Sequence, residues 1–333
     1  MRNNSFQNFK KITRQGVSIL NGVVGDRLQN TPLGIEMGFY HQNKRINVDK
    51  NSLLELFNDE NTLFSPKICV LIHGVTDSEM TWKFPDKSDY GSLLAQDFQY
   101  TPLYLRYNTG RHISDNGQGL ATILEELYQN YPIEIEEISI IAHSMGGLVT
   151  HSACHYAQVN TLDWALKMKR IFLLATPHLG SFLERFANVT TNILEKVPNW
   201  HTRLVGKFIN LRSAGIKDLR YGYLTEADWK NQDPDKLLKN NKTPPQMLPN
   251  AAYYVISARL TEKEKHWISQ LFGDILVSKK SATASSKNIA EFNFPPENHF
   301  ELAKTYHFQL QNSAKVYEKI KSWVSGELVL ADK

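Results

Sequence analysis

The sequence predicts an α/β fold built on a mostly parallel, doubly wound sheet with a helical insertion. Three observations predict it. Apolar runs of strand length recur at residues 68–72, 138–142, 170–175 and 251–257, as expected of strands buried on both faces. Helical periodicities lie between the early runs, and strand–helix alternation over 68–175 is the signature of right-handed parallel units. Residues 182–250 then separate two strands, far more chain than one crossover needs. Their apolar residues, among them Phe182, Leu183, Phe186, Ile193, Leu194 and Trp200, recur at helical spacings.

The elements follow in order. Residues 1–60 read as an N-terminal arm and hairpin packed on the core: 33–40 and 45–48 flank a polar His41-Gln42-Asn43-Lys44. A short helix is expected over 51–58, capped by Asn51 or Ser52. Residues 66–75 form a strand that stops at His73-Gly74. Residues 102–107 form the next strand, and Asn116-Gly117 opens a helix carrying Leu120, Ile123, Leu124 and Leu127. The 138–142 strand leads into a helix over 145–159. The 170–175 strand ends in Thr176-Pro177-His178-Leu179-Gly180-Ser181. Residues 302–324, with Ala303, Tyr306, Leu310, Ala314, Tyr317, Ile320 and Val324 near one face, read as one long final helix. The core thus spans 61–181 and 251–333, and 182–250 form a cap or lid.

Composition bounds the function classes. The 333 residues are 41% hydrophobic, enough for a substantial core. Thirty-eight basic against 34 acidic residues leave a net charge of +4, too weak a bias to argue for nucleic acid. The two cysteines, Cys69 in a strand and Cys154 in a helix, read as buried thiols, with no disulfide framework, metal site or cofactor motif. Neither a signal-peptide apolar core nor a run of about 18 apolar residues is present, so a soluble, cytoplasmic protein is expected. Phe6, Phe9, Ile12, Val17 and Leu20 lie on one side of a basic N-terminal stretch. A packed arm is the preferred reading, and weak membrane-surface association through residues 1–25 is the alternative.

The chemistry centres on Ile138-Ser139-Ile140-Ile141-Ala142-His143-Ser144-Met145-Gly146-Gly147. An apolar strand stops at a small residue, a serine follows, and two glycines open a helix. This is a strand–nucleophile–helix turn, in which strand and helix nearly collide and positions two before and two after the serine must be small. Ala142 and Gly146 satisfy that requirement, Ala142 standing where glycine is usual. Ser144 is the candidate nucleophile.

Leu71-Ile72-His73-Gly74, the Ser144 turn, the 176–181 segment, Gly273-Asp274 with Val277, and Asn298-His299-Phe300 together resemble the α/β-hydrolase lipases and esterases. The resemblance is strongest to the bacterial group related to GPI inositol-deacylase-like hydrolases, and it spans roughly residues 65–310. It implies an α/β-hydrolase fold and a chain order of serine, acid, histidine. Asp274 at a late strand end and His299 before the final helix fit that order. It further implies an oxyanion hole of two backbone N–H groups, from Val75 after His73-Gly74 and from Met145 after the nucleophile. His73, Gly74 and His178 are pocket candidates at strand carboxyl ends. Other candidates fit less well. Asp218 and Asp228 fall in the insertion, Asp163 precedes a strand, and His266 precedes the acid. His307 falls within the expected final helix, and His143 packs beneath the turn. No calcium ligand set is read: Glu301 stands two residues after His299, where some secreted relatives carry an aspartate, and no second ligand accompanies it.

The expected activity is hydrolysis of carboxylic esters, acylglycerols or other lipid-like esters above all, through an acyl-serine. An acyltransferase or thioesterase would use the same triad. A non-catalytic binding module on this fold would lack a triad member, and here none is missing; a peripheral membrane-binding module that its N-terminal arm delivers to lipid is the further alternative.

Overall fold

The structure is a computed structural model. It describes residues 16–18, 20–22, 25–26, 28, 34–41, 44–58, 64–178, 213–230, 247–259 and 294–326. Eight strands form one sheet: β1 (Gly38–His41), β2 (Lys44–Ile46), β3 (Lys67–Ile72), β4 (Thr101–Arg106), β5 (Glu137–His143), β6 (Met168–Leu174), β7 (Ala252–Arg259) and β8 (His299–Ala303). Their spatial order is β2-β1-β4-β3-β5-β6-β7-β8. The β1–β2 hairpin and its β4 partner are antiparallel, and every pair from β4 through β8 is parallel.

The central strands are buried on both faces because helices cover both. Ile68, Val70, Leu71, Ile138, Ile140, Ile141, Ile171, Phe172 and Leu173 are all fully buried. The helices among the described residues include α1 (Lys50–Phe57), α2 (Tyr90–Phe98), α3 (Ile113–Asn130), α4 (Met145–Val159), α5 (Ala214–Tyr221), α6 (Glu226–Trp229) and α7 (Ala314–Ser325). Pro102 sits inside β4, where a proline is tolerated because β1 backbone pairs only with residues 104–106; beyond them His41 Nδ1 lies 2.9 Å from Pro102 O.

Three local readings of the sequence are corrected. The first concerns α1, whose cap is Asp49: its carboxylate accepts from the Asn51 and Ser52 N–H groups, so the helix starts at Lys50. The second concerns α3, which begins three residues before Asn116. Gly117 lies inside it, and a Cβ there would fall 2.1 Å from Ser152 Oγ of α4. That glycine marks a close helix–helix approach rather than a helix start. The third is the expected helix over 302–324, which divides. Residues 299–303 pair with β7 from Val255↔His299 to Arg259↔Ala303, with Arg259 Nε donating to Glu301 Oε1 at 2.7 Å. A single 3₁₀ segment, His307–Gln311, follows, and α7 starts only after Ser313. The apolar spacing of α7 continued by chance through Leu310, while Tyr306 on the same predicted face is 58% exposed.

Of the insertion, residues 213–230 and 247–250 are described. Helix α5 seats on the loop after β4: a side chain at Gly215 would lie 2.2 Å from Thr109 O and 3.0 Å from Met145 Cε. Asp218 and Asp228 have structural roles there. Asp218 accepts from His112 Nδ1 and the Ile113 N–H, and Asp228 accepts from the Leu224 and Thr225 N–H groups. Of the N-terminal arm, Asn21 is fully buried, and Gly25 O accepts from Asn108 Nδ2. Residues 1–15 lie outside the described residues. Among the described residues, no helix is long and apolar enough to cross a membrane.

Candidate active site

The site forms where β3 and β5 end side by side. Leaving β5, the chain turns sharply at Ser144, which holds φ 53° and ψ −120°. A non-glycine residue with positive φ at that ψ is strained by about 1–3 kcal/mol and persists only where its surroundings over-determine it. They do so here. The Ser144 N–H donates to Leu174 O at 2.8 Å, and Ser144 O accepts from the Gly147 N–H at 3.0 Å. A Cβ at Gly146 would lie 2.6 Å from Ile72 O and 2.7 Å from His73 O. A Cβ at Gly147 would lie 2.0 Å from Thr176 Oγ1. Ala142 is fully buried and fits with its methyl. Ser144 Oγ is buried and makes no hydrogen bond among the described residues.

The loop after β3 closes over this turn. The missing side chain of Gly74 would lie 3.0 Å from His143 Nδ1, 3.2 Å from Ser144 Cβ and 3.4 Å from Asp77 Oδ2, so four residues converge on one point. Thr76 takes a positive φ of 63°, and its N–H donates to Thr109 Oγ1 at 3.2 Å, fixing the backbone around Val75. Met145 is the first residue of α4, so its N–H has no acceptor within the helix. The pocket candidate His73 lines no opening. It is fully buried, its Nδ1 donates to Gly74 O at 2.9 Å, and its ring stacks on Tyr107 at 4.5 Å. Burial pushes its pKa down to about 4. His178 is buried beside β6, its Nε2 3.1 Å from His151 Nε2.

The structure does not bring His299 to Ser144. His299 opens β8, in register with Val255, then Leu173, then Ala142. Three strand spacings separate it from β5, about 14 Å, roughly twice what a histidine and a serine side chain span together. Its Nε2 lies 3.1 Å from Ser257 Oγ. Asp274 lies outside the described residues.

A different histidine occupies the loop after the last strand. His307, expected within a helix, begins the 3₁₀ segment between β8 and α7. Its ring lies 4.6 Å from that of His143, the neighbour of Ser144. It is buried, and burial lowers its pKa to about 3, so the imidazole is neutral at pH 7. Two further residues join the site without a signal in the sequence reading. Gln311 Nε2 lies 2.9 Å from Asp77 Oδ2 and 2.5 Å from His143 Nδ1. Burial raises the Asp77 carboxyl to about 6, against the lowering effect of the Gln311 hydrogen bond. Among the described residues, no group of three or more His, Cys, Asp or Glu side chains is arranged to hold a metal ion.

Residues 65–220 match a family model described as "Putative serine esterase (DUF676)". The match contains the Gly74 loop and the Ser144 turn and ends before β7. No curated protein matches the chain. Among solved structures, mature lipase BlEst2 of Bacillus licheniformis superposes with a TM-score of 0.50 and 17% identity, over 77% of this chain and 91% of that one. The same lipase in its propeptide form gives 0.50 and 18%, over 78% and 51%. A thermophilic esterase from Thermogutta terrifontis gives 0.44 and 13%, over 89% and 96%. At these identities the likeness to the lipase is one of fold.

Proposed function

We propose that this chain, an α/β-hydrolase whose residues 65–220 match a serine esterase family, hydrolyses carboxylic esters through an acyl-Ser144 intermediate. The observation that carries the reading is the strained Ser144 backbone at the end of a central strand, with its hydroxyl beside the Gly74 loop. A hydroxyl is a poor nucleophile until a base takes its proton. His307, neutral and in the loop after the last strand, takes that role in place of His299.

The Ser144 Oγ lone pair attacks the ester carbonyl carbon while its proton passes to the His307 imidazole. The carbonyl oxygen becomes an oxyanion held by the Val75 and Met145 N–H groups, each worth about 3–4 kcal/mol when preorganised. Collapse breaks the bond to the alcohol, which leaves with the proton from His307. Water then repeats the sequence on the acyl-enzyme, releasing the acid and restoring Ser144. A neutral imidazole depressed to about 3 needs an anionic partner to stabilise its cation. Asp274 supplies that carboxylate in this reading.

A lipid-like substrate is supported by Tyr306 and Phe308. They flank His307 in sequence and are 58% and 38% exposed, placing apolar surface beside the base. Ser144→Ala, His307→Ala and His299→Ala would be compared on p-nitrophenyl esters of increasing chain length, with and without an added alcohol acceptor. The first two should lose activity by at least about a thousandfold, and the third should stay within tenfold. Full loss in His299→Ala with an active His307→Ala would return the base role to His299. An alkyl ester formed faster than free acid would make the protein an acyltransferase.

A further inference from the structure

His143, immediately before the nucleophile, is fully buried and engaged at both ring nitrogens. Its Nε2 lies 3.3 Å from the His307 carbonyl oxygen. A carbonyl only accepts, so Nε2 carries the proton. A neutral imidazole protonated at Nε2 has its lone pair at Nδ1, where the Gln311 amide donates at 2.5 Å. The same amide nitrogen lies 2.9 Å from Asp77 Oδ2. A carboxylate accepts at both oxygens, so Asp77 turns the NH₂ end of Gln311 toward itself and thereby toward His143. Each group dictates the next: the carboxylate sets the amide, the amide sets the tautomer, and the tautomer sets the bond to the His307 backbone.

The chain of contacts joins three separate segments. Asp77 follows Val75 in the loop after β3, His143 precedes Ser144, and Gln311 and His307 bracket the 3₁₀ segment after β8. We propose that Asp77, Gln311 and His143 form a polar clamp that positions His307 against Ser144, with His143 as the positioning residue that touches the base's backbone. The inference rests on His307 being the base.

The His143 ring of the clamp is fully buried, out of a substrate's reach. Its loss should therefore lower kcat and leave KM nearly unchanged. A base displaced by about 1 Å costs up to a hundredfold.

The test uses the whole chain and a soluble p-nitrophenyl ester. His143→Leu removes both hydrogen-bonding nitrogens. His143→Gln keeps an N–H at about the reach of the imidazole Nε2. Gln311→Met removes the amide at constant length and stands in should His143→Leu fail to fold. His143→Leu and Gln311→Met should lower kcat about ten- to a hundredfold with KM within twofold. His143→Gln should recover kcat to within about fivefold of the parent. A folded His143→Leu with kcat within twofold of the parent overturns the clamp. So does a His143→Gln that loses as much kcat as His143→Leu, because a purely space-filling role would not distinguish the two by hydrogen bonding. His307→Ala, assayed alongside, separates the failures. An active His307→Ala defeats the base assignment. An inactive one beside an unaffected His143→Leu defeats the clamp alone.

Discussion

Replacing Gly146 with alanine tests how closely strand and helix approach at the site. The new methyl would lie 2.6 Å from Ile72 O and 2.7 Å from His73 O, against an ordinary contact of about 3.4 Å or more. Both obstacles are backbone atoms at the end of β3, so no rotamer change relieves them. Helix α4 must retreat by somewhat less than 1 Å, and overpacking of this kind costs about 1–3 kcal/mol. Two backbone contacts argue for the upper end. The retreat also carries the Met145 N–H, one residue away, off the proposed oxyanion position, with kcat falling up to about a hundredfold. Gly119→Ala is the matched control. Gly119 lies inside α3, and its new methyl would meet only Met37 Sδ and Cε, at 3.2 and 3.3 Å. That flexible end can move aside, and alanine should gain about 0.5–1 kcal/mol of helix propensity. Urea denaturation should therefore move the two midpoints in opposite directions, with only Gly146→Ala losing esterase activity. A Gly146→Ala midpoint at or above the parent's, with unchanged kcat, would refute the close approach.

Two further perturbations test the frame around the site. Arg106 Nε donates to Glu79 Oε2 at 2.7 Å, and the Glu79 side chain is 3% exposed. Arg106→Leu strands that buried carboxylate and should cost about 3–5 kcal/mol at pH 7 by denaturant titration. Burial raises the Glu79 pKa, but the Arg106 hydrogen bonds and charge outweigh it, and the carboxyl ends below its ordinary value. Its contribution is therefore present above the usual glutamate range and lost as pH falls through the folded pKa, so the penalty should shrink toward pH 4. His112 has the opposite sign. Burial lowers its pKa, but the Asp218 carboxylate 3.0 Å away outweighs burial and raises it overall. That stability is fully present below about pH 6.5 and lost as pH rises through the folded pKa. The stability gap between the parent and His112→Asn, measured from pH 6 to pH 9, should narrow; a widening gap would contradict the pairing.

What the sequence disclosed depended on how local the signal was. The buried strands were legible because parallel strands covered on both faces must be apolar at every position, as in residues 68–72 and 138–142. The Ser144 turn was legible because its small residues are imposed by contacts within a few residues, Gly146 against β3 and Gly147 against Thr176. Strand β8 was not. Its five residues are all only half-buried, its pairing with β7 is non-local, and Leu310 extended the periodicity of α7 backward. Without that strand the sequence pattern runs one helix through His307 and leaves His299 as the histidine that chain order selects. With β8 in place, the loop between the last strand and α7 holds His307. Gln311 and Asp77 carried no signal at all, since their roles arise from contacts between residues 77, 143 and 311, which are distant in sequence.

Acylation at Ser144 is what every proposed step requires. Peptide mass mapping after exposure to a fluorophosphonate reads it out. One adduct is expected, on the peptide containing Ser144, absent from Ser144→Ala and blocked by a competing ester. An adduct on a different serine, surviving in Ser144→Ala, would contradict it.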